Sequence, residues 1–498
     1  MTAPRLALVG LALALTVGAI LRAQSQTAPP AIAVFVQASS TDREQAERAL
    51  AEIGRSWRPG YTPILVDLAR FILPPRQGTS APQSGTVDLT GIAGLDPDER
   101  RSGVLDLSAT PPGRPAHPSR TRLTRFLEQR TGQQFGDDLG RWREWMWRQP
   151  YDPHPDYMAF KAALYARVDP KMARFFTNRA TIRLDEIDWG GVGVNGIPPL
   201  ASPRAIRAEA ADWLKDSHVV FGIVVNGDAR AYPKRILAWH EMARDRLGGV
   251  DLTIVYCTLC GTVIPYESVV GGTRRTFGTS GLLYRSNKLM FDEESMSLWS
   301  TLDGGPVVGP LAGSALRLTA RPVVTTTWGE WRRANPGTTV LSIDTGHTRD
   351  YSEGAAYRDY FATDRLMFRV PRIDTRLENK DEILGLLLPA EGGGRQAVAM
   401  SAAFLQSRPV HHATFGSTSI VVLTTAKGAN RVYDAGPHRF IAWQGDARVR
   451  DSTGRLWQVG EDALVLAGSN PVRLPRRAAF RAFWFGWYAQ FPDTELIK

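Results

Sequence analysis

The only two cysteines of this 498-residue chain stand three apart, in Tyr256-Cys257-Thr258-Leu259-Cys260-Gly261. A c-type haem is excluded, because Gly261 rather than histidine follows the second cysteine. A thioredoxin-like dithiol needs its first cysteine at a helix N-terminus, whereas residues 262–270 read as a strand closed by Gly271-Gly272. Cys-x-x-Cys-Gly at the end of a strand fits a metal knuckle, in which the glycine allows a tight turn and backbone N–H groups support both thiolates. Such a site needs further ligands, and His240 in Trp239-His240-Glu241 is the nearest, with Glu241 orienting its ring or binding directly. Met290 and His347 are weaker ligands. The cofactor expected on this reading is one transition metal ion, zinc or copper. Two other readings stay open: a disulfide or dithiol redox pair, and inert thiols. His240 also reads as a structural histidine beside Trp239.

A second cluster occupies residues 278–292, where Ser280, Tyr284, Arg285, Asn287 and Lys288 follow one another closely. Hydroxyls, a cation pair and an amide together suit an anionic or carbonyl-bearing substrate. Ser280, Tyr284, Arg285 and Asn287 are therefore the expected substrate-binding residues, and Glu241 and Lys288 the expected catalytic proton carriers. The competing reading is a polar hairpin in which Lys288 pairs with Asp292. Ser280 lacks the Gly-x-Ser-x-Gly spacing of a hydrolase nucleophile. Gly191-Val-Gly193-Val-Asn-Gly196 is followed by Ile197-Pro198-Pro199, so no helix starts there to receive a pyrophosphate, and no nucleotide cofactor is expected. His411-His412 reads as a surface or loop pair, and residues 345–351 as a polar turn that could close over a site.

The elements that must position these groups fall into two textures. Apolar residues at helical spacing over 42–73, broken at Pro59-Gly60, predict two packed helices, and the pattern returns over 120–148 and 156–176. Between them, 74–119 is a Pro/Gly-rich loop. Beyond Ile182 short β-branched runs take over, with strands expected at Val219–Val225 and 252–256. A diverged repeat lies within this part: Arg317-Leu318, Trp328 to Trp331 and Thr338 recur at a constant offset as Arg473-Leu474, Trp484 to Trp487 and Thr494. The fold expected is α+β, with a helical region at 29–180 followed by a β-rich domain of two duplicated halves, 181–382 and 383–498. Aligning Ile254-Val255 with Ile420-Val421 sets Leu423 opposite Cys257 and Ala426 opposite Cys260, so the chemistry is expected in the first half.

Composition sets the remaining bounds. Hydrophobic residues make up 43% and charged residues 22%, which excludes wholesale disorder. The net charge of +10 comes from 52 arginines and 8 lysines scattered without a block, so no nucleic-acid partner is expected. Arg5, an uncharged apolar run to Leu21 and Ala23 give residues 1–28 the look of a secretory signal, or of an N-terminal anchor if uncleaved. The protein is thus expected to be periplasmic or secreted, touching membrane only through that segment. Its expected partner is a small molecule or an envelope protein.

Two resemblances add to this reading. Arg130-Thr-Gly-Gln-Gln-Phe-Gly with Trp142 and Trp145 resembles HEAT-like helical segments, which implies packing or partner binding. Asn226-Gly-Asp-Ala-Arg-Ala-Tyr-Pro233, Trp239-His240-Glu241, the Cys-x-x-Cys-Gly segment, 278–292, Ser297-Leu-Trp299 and Gly309-Pro-Leu311 resemble the family catalogued as domain of unknown function 3179. This resemblance runs from about Asp185 to the C-terminus. It implies an exported or envelope protein and a shared site, and carries no activity, substrate or cofactor with it.

Overall fold

The computed structural model describes residues 28–72, 117–443 and 447–498. The expected signal segment and most of the Pro/Gly-rich loop lie outside the described residues. Where described, the chain is helical to about residue 175 and then β-rich, with several sheets. No helix among the described residues is long and apolar enough to cross a membrane.

The chain divides into two compact units. The first contains the helices Ile32–Ala38, Arg43–Arg55, Thr62–Arg70 and Pro118–Thr131. Asp42 caps the second of these by accepting a hydrogen bond from the Gln45 N–H, and a single turn at Pro59–Tyr61 redirects the chain into the third. Arg120 is fully buried and donates to Ala69 O at the end of helix Thr62–Arg70, where a carbonyl has no partner within its own helix. Two differences from the sequence reading appear here. Ile32–Ala38 is an extra helix, too short for its periodicity to stand out, and Pro118 starts a helix within the last residues assigned to the loop, as proline at a first helical position can.

The second unit holds the sheets. One has the strand order Val324–Thr327, Val219–Val225, Asp228–Pro233, Thr339–Leu341, Ala205–Arg207. Another has the order Phe480–Phe483, Glu382–Pro389, Arg395–Ser401, Glu495–Ile497. In both, the first three strands are antiparallel and the fourth joins the third in parallel. A four-stranded sheet contains the hairpin Val250–Cys257 and Thr262–Glu267. A five-stranded sheet contains the hairpin Phe277–Tyr284 and Asn287–Asp292. An eight-stranded sheet starts at Val410–Phe415. Residues 252–257 are buried without alternation, which marks a strand covered on both faces. A large apolar core including Ile254, Tyr256, Trp299, Trp484 and Trp487 joins the first four of these sheets and fixes where the two hairpins point.

Candidate functional site

The Cys-x-x-Cys turn closes the first hairpin. Cys257 pairs with Thr262 across the ladder, and Gly261 turns the chain at φ +63°, a conformation that disfavours any side chain. A Cβ at Gly261 would also stand 3.1 Å from the Phe483 ring. Cys257 and Cys260 are joined as a disulfide. Both are buried, in an apolar cluster with Leu259, Leu283, Tyr360, Phe368, Phe483 and Phe485. The loop is tied down by backbone and side chain: the Phe483 N–H donates to Cys260 O at 2.7 Å and the Tyr360 hydroxyl to Leu259 O at 2.7 Å.

Glu241 reaches this loop because of how its helix ends. The helix Lys234–His240 is capped by Glu241 itself in the left-handed region, φ +55°, with its N–H bonded to Leu237 O. This twist separates the directions of His240 and Glu241. The Glu241 carboxylate accepts from the Thr258 hydroxyl at 2.9 Å and from the Tyr357 hydroxyl at 3.4 Å, and forms an ion pair with Lys288. Side chains of Glu241 and Lys288 are only 9% and 6% exposed. Burial pushes the Lys288 ammonium below its ordinary value, while Glu241 pulls it back up. Tyr357 is pushed well up by burial and by the Glu241 charge.

Lys288 arrives from the second hairpin. Tyr284 pairs with Asn287 across a two-residue turn, Arg285-Ser286, with both turn residues at positive φ, 49° and 63°. Such a turn matches strand twist but usually takes Asn-Gly. The Asn287 amide donates to Arg285 O and to Gly486 O, both at 3.0 Å, and Ser286 O lies 3.9 Å from Cys260 Sγ. Asn287 Oδ1 is buried and has no hydrogen-bond partner. A Cβ on Gly486 would lie 2.8 Å from Cys260 Cβ and 3.5 Å from that oxygen, so helix Trp484–Gln490 closes against the disulfide only because residue 486 has no side chain.

The expected site residues thus separate. Cys257, Cys260, Glu241, Lys288 and Asn287 meet around one buried turn. His240 does not join them: its Nδ1 faces Pro198 O at 2.9 Å and its Nε2 faces the Tyr351 hydroxyl. A carbonyl only accepts, so Nδ1 carries the proton and Nε2 accepts from Tyr351. Glu241 therefore does not orient His240, and Lys288 pairs with Glu241 rather than Asp292, which instead holds Arg275 and the Trp299 indole. Sulfurs bonded to each other and an imidazole with both nitrogens engaged do not form the expected Cys257/Cys260/His240 donor set. Among the described residues no group of three or more His, Cys, Asp and Glu side chains is placed to hold a metal. Ser280 is buried and bonded to Leu289 O and the Leu282 N–H, as part of an irregular stretch of strand. His411-His412 lies in the strand Val410–Phe415, where His412 Nε2 accepts from the Phe440 N–H.

Reasoning from sequence missed Thr258 and Tyr357 as partners of Glu241. Thr258 was within view, between the cysteines. Tyr357 lies 116 residues from Glu241 and has no local signal.

A family model for proteins of unknown function, DUF3179, matches residues 194–494 and so covers Glu241, the disulfide, both hairpins and Gly486. The chain belongs to the DUF3179 family. No curated protein and no solved structure matches it. Within this DUF3179 chain, Pro198, whose carbonyl accepts the hydrogen bond from His240 Nδ1, lies close to the start of the matched region, and Thr494 at its end.

Proposed function

We propose that this DUF3179 protein is a thiol–disulfide redox module of an exported protein, working through Cys257 and Cys260. The observation that carries the reading is the buried Glu241–Lys288 pair, fastened to the cysteine loop through the Thr258 hydroxyl. An external thiolate attacks one sulfur, a new S–S bond forms, the Cys257–Cys260 bond breaks, and the electron pair leaves on the other cysteine. A thiolate in that apolar cluster is costly and must take a proton. Lys288 and Glu241 hold a proton in the same buried space and take it back from solvent when the site opens. A second external thiolate then releases the mixed disulfide, so two thiols are oxidised and both cysteines reduced. Asn287 Oδ1, buried and without a partner beside Gly486 and Cys260, offers the reduced Cys260 thiol an acceptor.

A purely stapling role is disfavoured by loop length. Closing a loop with a sequence separation of three constrains the unfolded chain by only about 2 kcal/mol. Entry of a thiol requires the aromatic cover that includes Tyr360 and Phe361 to lift, a local opening of the kind that gates buried sites. The test is equilibration of the full chain in glutathione or dithiothreitol buffers, followed by acid quench, alkylation and mass spectrometry, with near-ultraviolet circular dichroism followed in parallel. A reversible two-electron transition with tertiary signal retained is expected, with exchange in Glu241→Gln at least about tenfold slower. Reduction that occurs only together with loss of the tertiary signal overturns the proposal.

We also infer that the β-rich region arose by duplication. Support comes from the matching strand orders of the two sheets and from paired tryptophans: Trp331 donates to Thr338 Oγ1 at 2.8 Å and Trp487 to Thr494 Oγ1 at 2.9 Å. Likewise Trp299 donates to Asp292 and Trp457 to Asp451.

A further inference from the structure

Tyr284 and Arg285 also line a cavity of about 290 Å³, together with Ser300, Ser314, Arg317 and Gln490 among others. We propose that this cavity is a binding site for a small oxyanion-bearing molecule, a carboxylate or a phosphate, gripped by Arg285 and Arg317.

Three observations converge on it. The first is the state of the two guanidiniums. Arg285 uses Nε on Glu186 at 2.6 Å and Nη1 on Ala489 O at 2.9 Å. Arg317 uses Nε on Asp303 at 3.2 Å and Nη1 on Leu316 O at 2.7 Å. Each is thereby held in place with Nη2 unengaged by protein among the described residues. A planar guanidinium so fixed presents its remaining donors to a carboxylate or phosphate with little further ordering. The second is Ser314, whose hydroxyl is buried in the cavity wall with no partner. An orphaned hydroxyl at the wall of a polar cavity is a group waiting for a ligand atom. The third is charge. Glu186 answers both Arg285 and Arg183, and Asp303 answers both Arg317 and Arg395. Of the charged residues that line the cavity itself, Arg285 and Arg317 outnumber Asp303, and the excess favours an anion.

The backbone points the same way. Arg285 stands at φ +49° in a turn that asparagine or glycine would form with less strain. What residue 285 gains by being arginine is the reach to Glu186, Ala489 O and the cavity. The volume sits at the lower end of the range of about 300 to 1,000 Å³ typical of ligand sites, so the ligand is a small molecule and not a chain. This site is independent of the redox chemistry at Cys257 and Cys260, which do not line it.

The experiment is thermal unfolding of the full chain titrated with sodium phosphate or sodium succinate at constant ionic strength made up with sodium chloride. Arg317→Gln and the cavity-filling Ser314→Phe are run beside the wild type. Arg317 is about half exposed, so its replacement leaves the fold intact. A rise in Tm with phosphate beyond that of chloride, logarithmic in concentration above Kd, assigns a phosphorylated ligand, and the same with succinate assigns a carboxylate, because binding at free ligand concentration c stabilises the folded state by RT ln(1 + c/Kd). In Arg317→Gln the Kd fitted from the Tm curve rises about tenfold or more, the loss of one charge-assisted hydrogen bond. No rise beyond that of chloride with either anion overturns the proposal, and so does a titration of Arg317→Gln identical to wild type.

Discussion

Replacing Lys288 by methionine removes one side of a buried ion pair while keeping all but the last atom of the side chain's length. Lys288 and Glu241 are 6% and 9% exposed, so neither charge is well solvated without the other. Breaking such a pair from one side costs about 3–5 kcal/mol. For Lys288→Met the lower end, about 3 kcal/mol, is expected, because Glu241 keeps the hydroxyls of Thr258 and Tyr357. In Glu241→Gln the stranded group is an ammonium whose pKa burial already lowers, so it escapes by losing its proton. That variant is therefore less destabilised at pH 10 than at pH 7. The double variant Glu241→Gln/Lys288→Met leaves no buried charge and falls within about 1–2 kcal/mol of wild type. Urea unfolding of the four proteins, with the disulfide intact and tryptophan fluorescence as the signal, closes the cycle. The pH dependence provides a second check. Between the lowered folded value of Lys288 and its ordinary 10.5, the unfolded chain binds a proton that the folded chain does not. Stability through this residue rises with pH across that window, and Lys288→Met loses the rise. A cost below about 1 kcal/mol for Lys288→Met, the value of an exposed pair, refutes the reasoning. Strict additivity of the two single variants refutes it equally.

Two further outcomes follow from the same contacts. Gly486→Ala sets a Cβ 2.8 Å from Cys260 Cβ, so despite the helical preference for alanine it is expected to destabilise by about 1–3 kcal/mol, read as a lower urea midpoint. His240→Phe strands Pro198 O, leaves the Tyr351 hydroxyl with Thr345 as its one remaining partner, and is expected to cost about 1–3 kcal/mol at pH 7. Since burial lowers the pKa of His240, stability through it falls as pH drops from 6.5 toward the folded value, and a scan of Tm against pH should show that acid-side loss diminished in the variant.

What could be read in advance depended on whether the signal was local. Strand Val219–Val225, the strand leading into Cys257 and the helices at Arg43–Arg55 and Thr62–Arg70 follow from periodicity and turn residues. The coming together of Cys257, Cys260, Glu241 and Lys288 follows only from their chemical types, since the cysteines and Lys288 come from hairpins in different sheets and Glu241 from the end of a helix. Adjacency in sequence suggests that Glu241 orients His240, whereas a left-handed residue at a helix end sends neighbouring side chains apart. The competing polar-hairpin reading, with Lys288 paired to Asp292 four residues along, rests on the same local habit. On a strand, residues at that separation share a face, and Asp292 is already occupied by Arg275 and Trp299.

On the duplication reading, the second half supplies an internal comparison for the site. Met242 pairs with Val255 as His412 pairs with Val421, which sets His411 opposite Glu241. Matching Trp299–Asp292 to Trp457–Asp451 sets Ala447 opposite Lys288. Leu423 and Ala426 already stand opposite the cysteines. The packing devices survive in both halves: Trp331 lies against Gly222 and Trp487 against Gly385 so closely that a Cβ on either glycine would collide with the ring. Both thiols, the carboxylate and the ammonium are thus missing together from the half that keeps the tryptophans. A carboxylate and an ammonium that merely filled space would have no physical reason to vanish with the cysteines. Groups that handle the protons of a disulfide would, because without the sulfurs a buried ion pair is only a desolvation cost.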